Sequence, residues 1–338
     1  MNGASGTLQS RDLARPQAGD PVRRTIKETS FVYRDKRGFL LFSWVRYSII
    51  ISKNRDLQGE VIGLDFAFQE EFKKYYAWNR EEIVSSFYNQ TDEDGRLQRT
   101  RHGQLEYLTT MHYIHRFANR GSKVLEIGAG TGRYSIALAK EGMDVTAVEL
   151  VESNLSILKE NSKEMENIRA YRGDATNLEM LPDNSFDVTL VLGPMYHLYE
   201  AQEVDRAIDE AVRVTKRGGV ILFAFISVFA VMYANYFYGN WAFGQKENFT
   251  DEYKVKHYKE QLFTGYDVAE FELLFAEKPV EWITTAGTDG LLEPIEKRAD
   301  FAISDEEFDA FAAWYLAFAE KRELLGNTNH LLYICRKK

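Results

Sequence analysis

Cysteine is nearly absent from the sequence, since Cys335 is the only one among 338 residues. A single thiol can form neither an intramolecular disulfide nor a cysteine-built metal site, so the simplest prediction is a reducing, cytoplasmic setting. Histidine is also scarce, with six in all, and none has the HExxH spacing of a helical zinc site. His112 and His115 share a predicted helix face, but no third ligand is evident. We therefore predict no metal.

Long apolar runs and a basic excess are absent as well. The run Phe39–Ile51 is short for a membrane span and carries Arg46 near its middle, and Val220–Ala234 falls just under spanning length. The net charge is −9, whereas nucleic-acid-binding domains carry a basic excess. We predict no membrane insertion and no nucleic-acid partner. Hydrophobic residues make up 45% of the chain, which is enough for a substantial core.

The first 60 residues differ in charge from the rest of the chain. They carry eleven Lys and Arg against six Asp and Glu, whereas the remainder carries 31 against 45. No clear helical period appears before residue 65. We predict that residues 1–64 form a basic N-terminal extension that is partly disordered, and that residues 65–338 form one domain.

From residue 80 onward, helical and strand patterns alternate. Short apolar strands separated by helices pair in parallel through right-handed crossovers, so the pattern predicts a doubly wound α/β sheet with helices on both faces. The predicted helices are 80–89, 103–118, 133–141, 152–164 and 201–214, and the predicted strands are 123–127, 144–148, 168–171, 186–192 and 220–225.

A glycine-rich stretch links the first predicted strand to the helix after it. Its sequence, VLEIGAGTGRYS, places Gly128, Gly130 and Gly132 at the turn. Glycine permits a tight turn and a close approach of a ligand to the backbone, while free amides at the start of the helix attract an anionic group. The same short pattern also fits a dinucleotide site or a purely structural turn.

Two carboxylates follow at the ends of the next two strands. Glu149 lies seventeen residues after Gly132, a position from which a carboxylate binds both hydroxyls of a ribose. Asp174, in the stretch GDATNL, can accept from an adenine amine, and Ala175 can offer its backbone N–H. A fourth segment, FDVTLVLGPMYHL at 186–198, brings a buried strand to the carboxyl edge of the sheet, where open α/β sheets bind ligands.

With these four motifs in order, the sequence resembles the class I S-adenosylmethionine-dependent methyltransferases, in particular bacterial small-molecule members with a GPxYHL motif. The resemblance covers about residues 80–338 and includes the closing GNTNHLLYICRK. It implies a seven-stranded Rossmann-like sheet, S-adenosyl-L-methionine as cofactor and a small-molecule acceptor. The cofactor-binding residues that it implies are Glu126 near the ammonium group, Gly128, Ala129, Gly130, Thr131 and Gly132 along the methionine moiety, Glu149 at the ribose, Leu150, Asp174 and Ala175 at the adenine, and Leu192 beneath the sulfonium.

Residues on both sides of this constellation are candidates for the remaining roles. Tyr88, Arg99, Arg101 and His102 precede the first strand and could close over the cofactor, with Arg101 pairing with its carboxylate. His197 is the candidate general base, with Tyr196 beside it, because the ordinary pKa of histidine suits proton removal near neutral pH. The alternative is that both residues only shape the wall, since methyl transfer from a sulfonium depends mainly on alignment.

Aromatic residues crowd the segment after the fifth strand and predict a helical, aromatic lid inserted at about residues 226–278. Aromatic walls suit an apolar or aromatic small molecule. The same rings could instead pack in a core or form a homodimer face. They are Phe229, Tyr233, Tyr236, Phe237, Tyr238, Trp241 and Phe243.

Three other functions fit parts of the pattern. An RNA or protein methyltransferase would be expected to show a basic stripe or an added recognition module, and only the basic extension supports it. An NAD(P)-binding Rossmann oxidoreductase would show GxGxxG spacing, whereas this loop reads GAGTG. A noncatalytic cofactor-binding protein would retain the same motifs.

Overall fold

The computed structural model describes residues 78–91, 93–237, 249–258 and 262–338. The predicted extension at 1–64 lies outside these ranges, and so do parts of the predicted lid, so both boundaries stay predictions. Within the described ranges, no helix is both long and apolar enough to cross a membrane.

An eight-stranded sheet forms the centre of the described part. Seven strands lie in the order β3-β2-β1-β4-β5-β8-β7, and the two-residue β6 pairs with the end of β5. The strands are β1 (Lys123–Ile127), β2 (Asp144–Glu149), β3 (Ile168–Arg172), β4 (Phe186–Val191), β5 (Thr215–Ser227), β6 (Gly265–Tyr266), β7 (Val280–Gly287) and β8 (His330–Lys337). This order confirms the predicted doubly wound, Rossmann-like sheet, to which β6 adds one short strand.

Helices pack on both faces of the sheet because its inner strands are apolar on both sides. Successive side chains of a strand point to opposite faces, so Val124 joins the core on one face and Leu125 joins the core on the other. The helices are α1 (Arg80–Tyr88), α2 (Arg96–Arg99), α3 (Arg101–His115), α4 (Arg133–Lys140), α5 (Glu152–Asn161), α6 (Ala201–Val214), α7 (Val228–Phe237), α8 (Val268–Leu273), α9 (Leu292–Glu296), α10 (Asp305–Phe318) and α11 (Arg322–Leu325), with a 3₁₀ turn at Pro194–His197.

The strand directions decide which loops meet. Strands β1 to β5 are parallel, so the loops that follow β1 to β4 lie at one carboxyl edge. Strand β8 is antiparallel to β5 and β7, and its first residue, His330, pairs with Ile226 near the end of β5. The start of the last strand therefore lies at the same edge as those loops.

Candidate functional site

The carboxyl edge of the sheet borders a cleft. Seven of the predicted site residues do not line it: Arg99, Arg101, His102, Glu126, Ala129, Thr131 and Gly132. The residues that do line it are Arg80, Val84, Tyr88, Glu93, Arg96, Ile127, Gly128, Gly130, Glu149, Leu150, Asn154, Gly173, Asp174, Ala175, Leu192, Gly193, Pro194, Tyr196 and His197.

Two glycines of the loop after β1, Gly128 and Gly130, line the cleft. Gly128 has a φ of 77°, and a Cβ there would lie 2.7 Å from Cδ of Pro194, so both its backbone and its neighbour exclude a side chain. Gly130 has a φ of 56°, but a Cβ there would meet only Cγ of Glu93, at 3.8 Å. Any side chain at Gly130 would therefore project into the cleft rather than into packed protein.

Glu149, the last residue of β2, is held by backbone amides. Its carboxylate accepts from the N–H of Gly130 at 2.7 Å and from the N–H of Val151 at 2.8 Å. The side chain is buried, and burial raises the pKa of the carboxyl group above its ordinary value despite these two donors. The two bonds fix the carboxylate at the cleft, and each oxygen keeps a lone pair for a further donor.

Asp174 also lines the cleft, but Arg80 occupies one of its oxygens. The Arg80 guanidinium donates to Oδ2 of Asp174 at 2.5 Å and to Glu203 at 3.2 Å, while the backbone N–H and hydroxyl of Thr176 both donate to Oδ1 at 2.9 Å. These donors outweigh burial and lower the pKa of Asp174. A nucleobase amine at this carboxylate would share it with Arg80, a contact that the sequence did not reveal.

Glu126 lies inside the protein rather than in the cleft. Its Oε2 accepts from the backbone N–H and the hydroxyl of Ser135 in the first turn of α4. Burial raises the pKa of this carboxyl group to about 8. Glu126 thus ties the glycine loop to α4, and its expected position near an ammonium group stays a prediction.

Arg101 likewise lies away from the cleft. Its guanidinium pairs with Asp305 and Gln104 and lies over the ring of Phe308. Arg80, on α1, and Arg96, on α2, both line the cleft. Pairing of Arg101 with a cofactor carboxylate therefore stays a prediction that the position of its side chain does not favour.

Arg96 connects the cleft to a buried acidic residue. It donates to Glu93 at 2.9 Å and binds both carboxylate oxygens of Glu106, at 2.8 and 3.0 Å. Burial by itself would raise the pKa of Glu106. Interactions with neighbouring cations, the Arg96 guanidinium first among them, outweigh burial and lower that pKa to about 2. Arg96 is thus a fixed cation in the cleft wall.

His197 is buried and both of its ring nitrogens are engaged. Nδ1 lies 2.8 Å from the carbonyl oxygen of Leu262, which can only accept, so Nδ1 carries the proton. In the neutral ring Nε2 is then the acceptor for the Tyr88 hydroxyl, 3.0 Å away. Burial lowers the pKa of His197 to about 4. Burial thus disfavours protonation of His197 near neutral pH, and its role as a general base stays a prediction. Tyr88 lines the cleft beside it.

Part of the predicted lid contacts this histidine. Phe263 lies 5.0 Å from the ring of His197 and 5.9 Å from that of Tyr196, measured between centroids, and the N–H of Thr264 donates to the carbonyl of Tyr196 at 2.8 Å. Phe229 and Tyr233 are exposed on α7. The other predicted lid aromatics, at positions 236–238, 241 and 243, lie where side chains are not described.

Comparisons with known proteins agree with this arrangement. Residues 125–223 match the family model described as a methyltransferase domain. A demethylmenaquinone methyltransferase of Paenarthrobacter aurescens (strain TC1) is 38% identical over 104 residues, which cover 31% of this chain and 38% of that protein. The demethylmenaquinone methyltransferase of Staphylococcus aureus (strain JH9) is 37% identical over 127 residues, covering 35% of this chain and 51% of that protein.

Among solved structures, a Thermotoga maritima S-adenosylmethionine-dependent methyltransferase, described as a possible histamine N-methyltransferase, aligns with a TM-score of 0.49 and 18% identity over 77% of this chain and 100% of that one. The chain spans about half or less of the length of the demethylmenaquinone methyltransferases that it matches. The match assigns residues 125–223 to a methyltransferase domain, and the sheet order is the one that the resemblance to the class I S-adenosylmethionine-dependent methyltransferases implies.

Proposed function

We propose that the protein transfers a methyl group from S-adenosyl-L-methionine to a small, apolar or aromatic molecule. The observation that carries the proposal is the carboxylate of Glu149, fixed by two backbone amides at the edge of a cleft that belongs to a methyltransferase domain. A buried carboxylate held in this way is prepared to accept two neighbouring hydroxyls, as on a ribose.

The residues present fit the cofactor. Gly130 leaves open space in the cleft that any side chain would occupy, and the fixed cation of Arg96 provides a partner for a carboxylate. Leu150 and Ala175 line the cleft beside Asp174, at the predicted place of an adenine ring. We assign the ribose to Glu149, the adenine to these three residues, and the cofactor carboxylate to Arg96 in place of Arg101.

The bound cofactor supplies a methyl group on a sulfonium, which is already an activated leaving group. The protein must therefore align the acceptor and exclude water. Because Nε2 of His197 accepts from Tyr88, His197 fixes the direction of the Tyr88 hydroxyl at the cleft wall. We assign His197 a positioning role and place Tyr88 and Tyr196 at the acceptor side of the cleft.

The acceptor class follows from the rings around this end of the cleft. Tyr88 and Tyr196 line the cleft there, with Phe263 packed against Tyr196, and aromatic walls favour flat, apolar ligands. The two relatives above are named for a small-molecule acceptor, demethylmenaquinone. Both observations support a ring-containing small molecule over RNA or a protein.

Two measurements test the proposal. Titration calorimetry should show binding of S-adenosylmethionine and S-adenosylhomocysteine, with NAD as the competing candidate. Label transfer from methyl-labelled cofactor should then be followed against a panel of demethylmenaquinol, simple phenols and aromatic amines. Tight NAD binding without a response to S-adenosylmethionine would overturn the proposal, and cofactor binding without transfer to any member would support the noncatalytic alternative.

A further inference from the structure

A second, narrow pocket lies at the carboxyl edge of the sheet, next to the cleft. The two share Leu192 and Tyr196 as wall residues. The pocket is so small that a single hydroxyl or carbonyl group would fill it. Its walls are Glu106, Thr110, Tyr134, Leu192, Tyr196, Ala224, Thr288, His330, Leu331 and Leu332.

His330 enters this pocket because β8 begins at the carboxyl edge. The fully buried Asp289 holds it: Oδ2 of Asp289 lies 2.7 Å from Nδ1 of the imidazole, and Oδ1 accepts from the backbone N–H groups of Asn329 and His330 at 2.9 and 3.1 Å. The ring is thus fixed by its Nδ1 side. Its other nitrogen, Nε2, makes no hydrogen bond to any residue in the described ranges.

The charges around His330 favour its cationic form. Glu106 lies 3.7 Å from Nδ1 on one side and Asp289 lies on the other, while Arg96 binds Glu106. With Glu93, which also pairs with Arg96, three carboxylates therefore surround one guanidinium and one imidazolium. Donor atoms of Glu106, Asp289 and His330 lie within 4.8 Å of one another, as they would around a metal ion. Both Glu106 oxygens already bind Arg96 and the imidazole Nδ1 already binds Asp289, so the cluster is an ion-pair network.

A second donor faces the same pocket without a partner. The Tyr134 hydroxyl, in the first turn of α4, is buried and has no hydrogen-bond partner among the described residues, and Thr110 approaches it without reaching hydrogen-bond geometry. Leaving a buried hydroxyl unpaired is unfavourable, because the group has lost its hydrogen bonds to water. An unpaired hydroxyl and an unpaired imidazole nitrogen in one small pocket indicate a place for an oxygen atom of a ligand.

We propose that this pocket holds the ionised hydroxyl oxygen of the methyl acceptor, a phenol or an enol, with Nε2 of His330 and the hydroxyl of Tyr134 as its two donors. The inference rests on the proposed function and specifies its acceptor. His330 and Tyr134 are positioning residues, and the cation of His330 selects the ionised oxygen over the neutral one. The apolar side chains of Ala224, Leu331 and Leu332 exclude water from this contact.

The test uses 4-nitrophenol, whose phenolate absorbs visible light and whose phenol form does not. It is titrated into the full-length protein saturated with S-adenosylhomocysteine. The proton that the phenol loses on binding is taken up by the buffer. The wild type should bind the phenolate, so the apparent pKa of the probe should fall on binding. His330→Asn keeps an N–H for Asp289 and removes the Nε2 donor, so phenolate affinity should fall roughly tenfold to a hundredfold.

Tyr134→Phe provides the second variant, because removing an unpaired hydroxyl should leave the melting temperature unchanged or raised. It should weaken phenolate binding several-fold, while Tyr107→Phe should not. Tyr107 is the matched control because its ring stacks on Tyr134 at 5.3 Å but lines neither cavity.

Three results would overturn the proposal. The first is that the wild type does not prefer the phenolate, and the second is that both pocket variants bind the phenolate as tightly as the wild type. The third is that His330→Asn loses as much affinity for S-adenosylhomocysteine as for the phenolate. The last result would mean that the pocket holds the cofactor carboxylate. Because the probe reports binding and not transfer, a failure of methyl transfer alone would count against the proposed function and not against this pocket.

Discussion

Replacing Glu149 with glutamine tests the role of the fixed carboxylate. Glutamine keeps the size of the side chain but has one acceptor oxygen in place of two. Since both carboxylate oxygens accept backbone N–H groups, from Gly130 and Val151, the amide NH₂ of glutamine would face one of these donors. One buried N–H would lose its partner, and leaving such a group unpaired costs about 1 to 3 kcal/mol.

The same substitution removes the charge that would accept the two ribose hydroxyls. Hydrogen bonds to a charged group contribute about 1.5 to 3 kcal/mol, so affinity for S-adenosylhomocysteine should fall roughly tenfold to a hundredfold. The effect on folding should be smaller than the effect on binding. Burial raises the pKa of Glu149, which means that burying its charge is unfavourable, and glutamine relieves that cost.

Titration calorimetry with S-adenosylhomocysteine measures the binding loss, and urea unfolding measures the folding loss. Glu152→Gln is the matched control, because Glu152 begins α5 three residues later and its side chain is 63% exposed. It should bind the cofactor product as the wild type does. Unchanged affinity in Glu149→Gln, or an equal loss in Glu152→Gln, would refute the assignment of Glu149 to the ribose.

Three further outcomes are expected. His197→Asn should lower kcat/KM about tenfold, because Tyr88 loses its hydrogen-bond partner. The pH profile of activity between pH 6 and 8 should not change, since the pKa of His197 is about 4. If the mutant instead loses a rise in activity near pH 6 to 7, His197 acts as the general base. The folded-state pKa of His330, about 9, exceeds its ordinary 6.5, so the stability that it contributes is complete below pH 6.5 and lost as pH rises through 9. The urea midpoint should therefore fall over that range, and fall less in His330→Asn; an equal fall in both would exclude His330 as the cause. Removal of residues 1–64 should leave a cooperative melt and S-adenosylhomocysteine affinity within about threefold of the full chain, and an insoluble product or a loss of more than a few kcal/mol of stability would show that the domain begins earlier.

Most of the sheet could be predicted from the sequence because its strands are short, apolar and separated by periodic helices. The short β6 and the strand β7 were not predicted, and β5 was predicted from Val220 but begins at Thr215. Polar and glycine residues open that strand, so its first five residues carry no apolar pattern. The antiparallel direction of β8 follows from tertiary pairing and leaves no mark in the local sequence.

Within the site, residues fixed by backbone geometry were the easier ones to predict. Gly128, Gly130 and Glu149 occupy their predicted places at the cleft because strand ends and turns constrain them. Arg96 could not be distinguished from Arg101, since both lie in a short charged stretch and only the turn between α2 and α3 decides which one faces inward. His330 carried no signal either, because a lone histidine at the start of a strand is ordinary in sequence and gains meaning only beside Asp289.

The reversed direction of β8 has a practical consequence for handling the protein. The strand enters the sheet at the edge that carries His330 and leaves it at the opposite edge, where Lys337 binds the backbone carbonyls of Arg213 and Thr215. A tag or surface linker joined after Lys338 would therefore extend from the side remote from the cleft, and should be tolerated in binding assays. Deleting residues from the start of β8 would remove His330 from the pocket and would also remove part of the strand that pairs with β7.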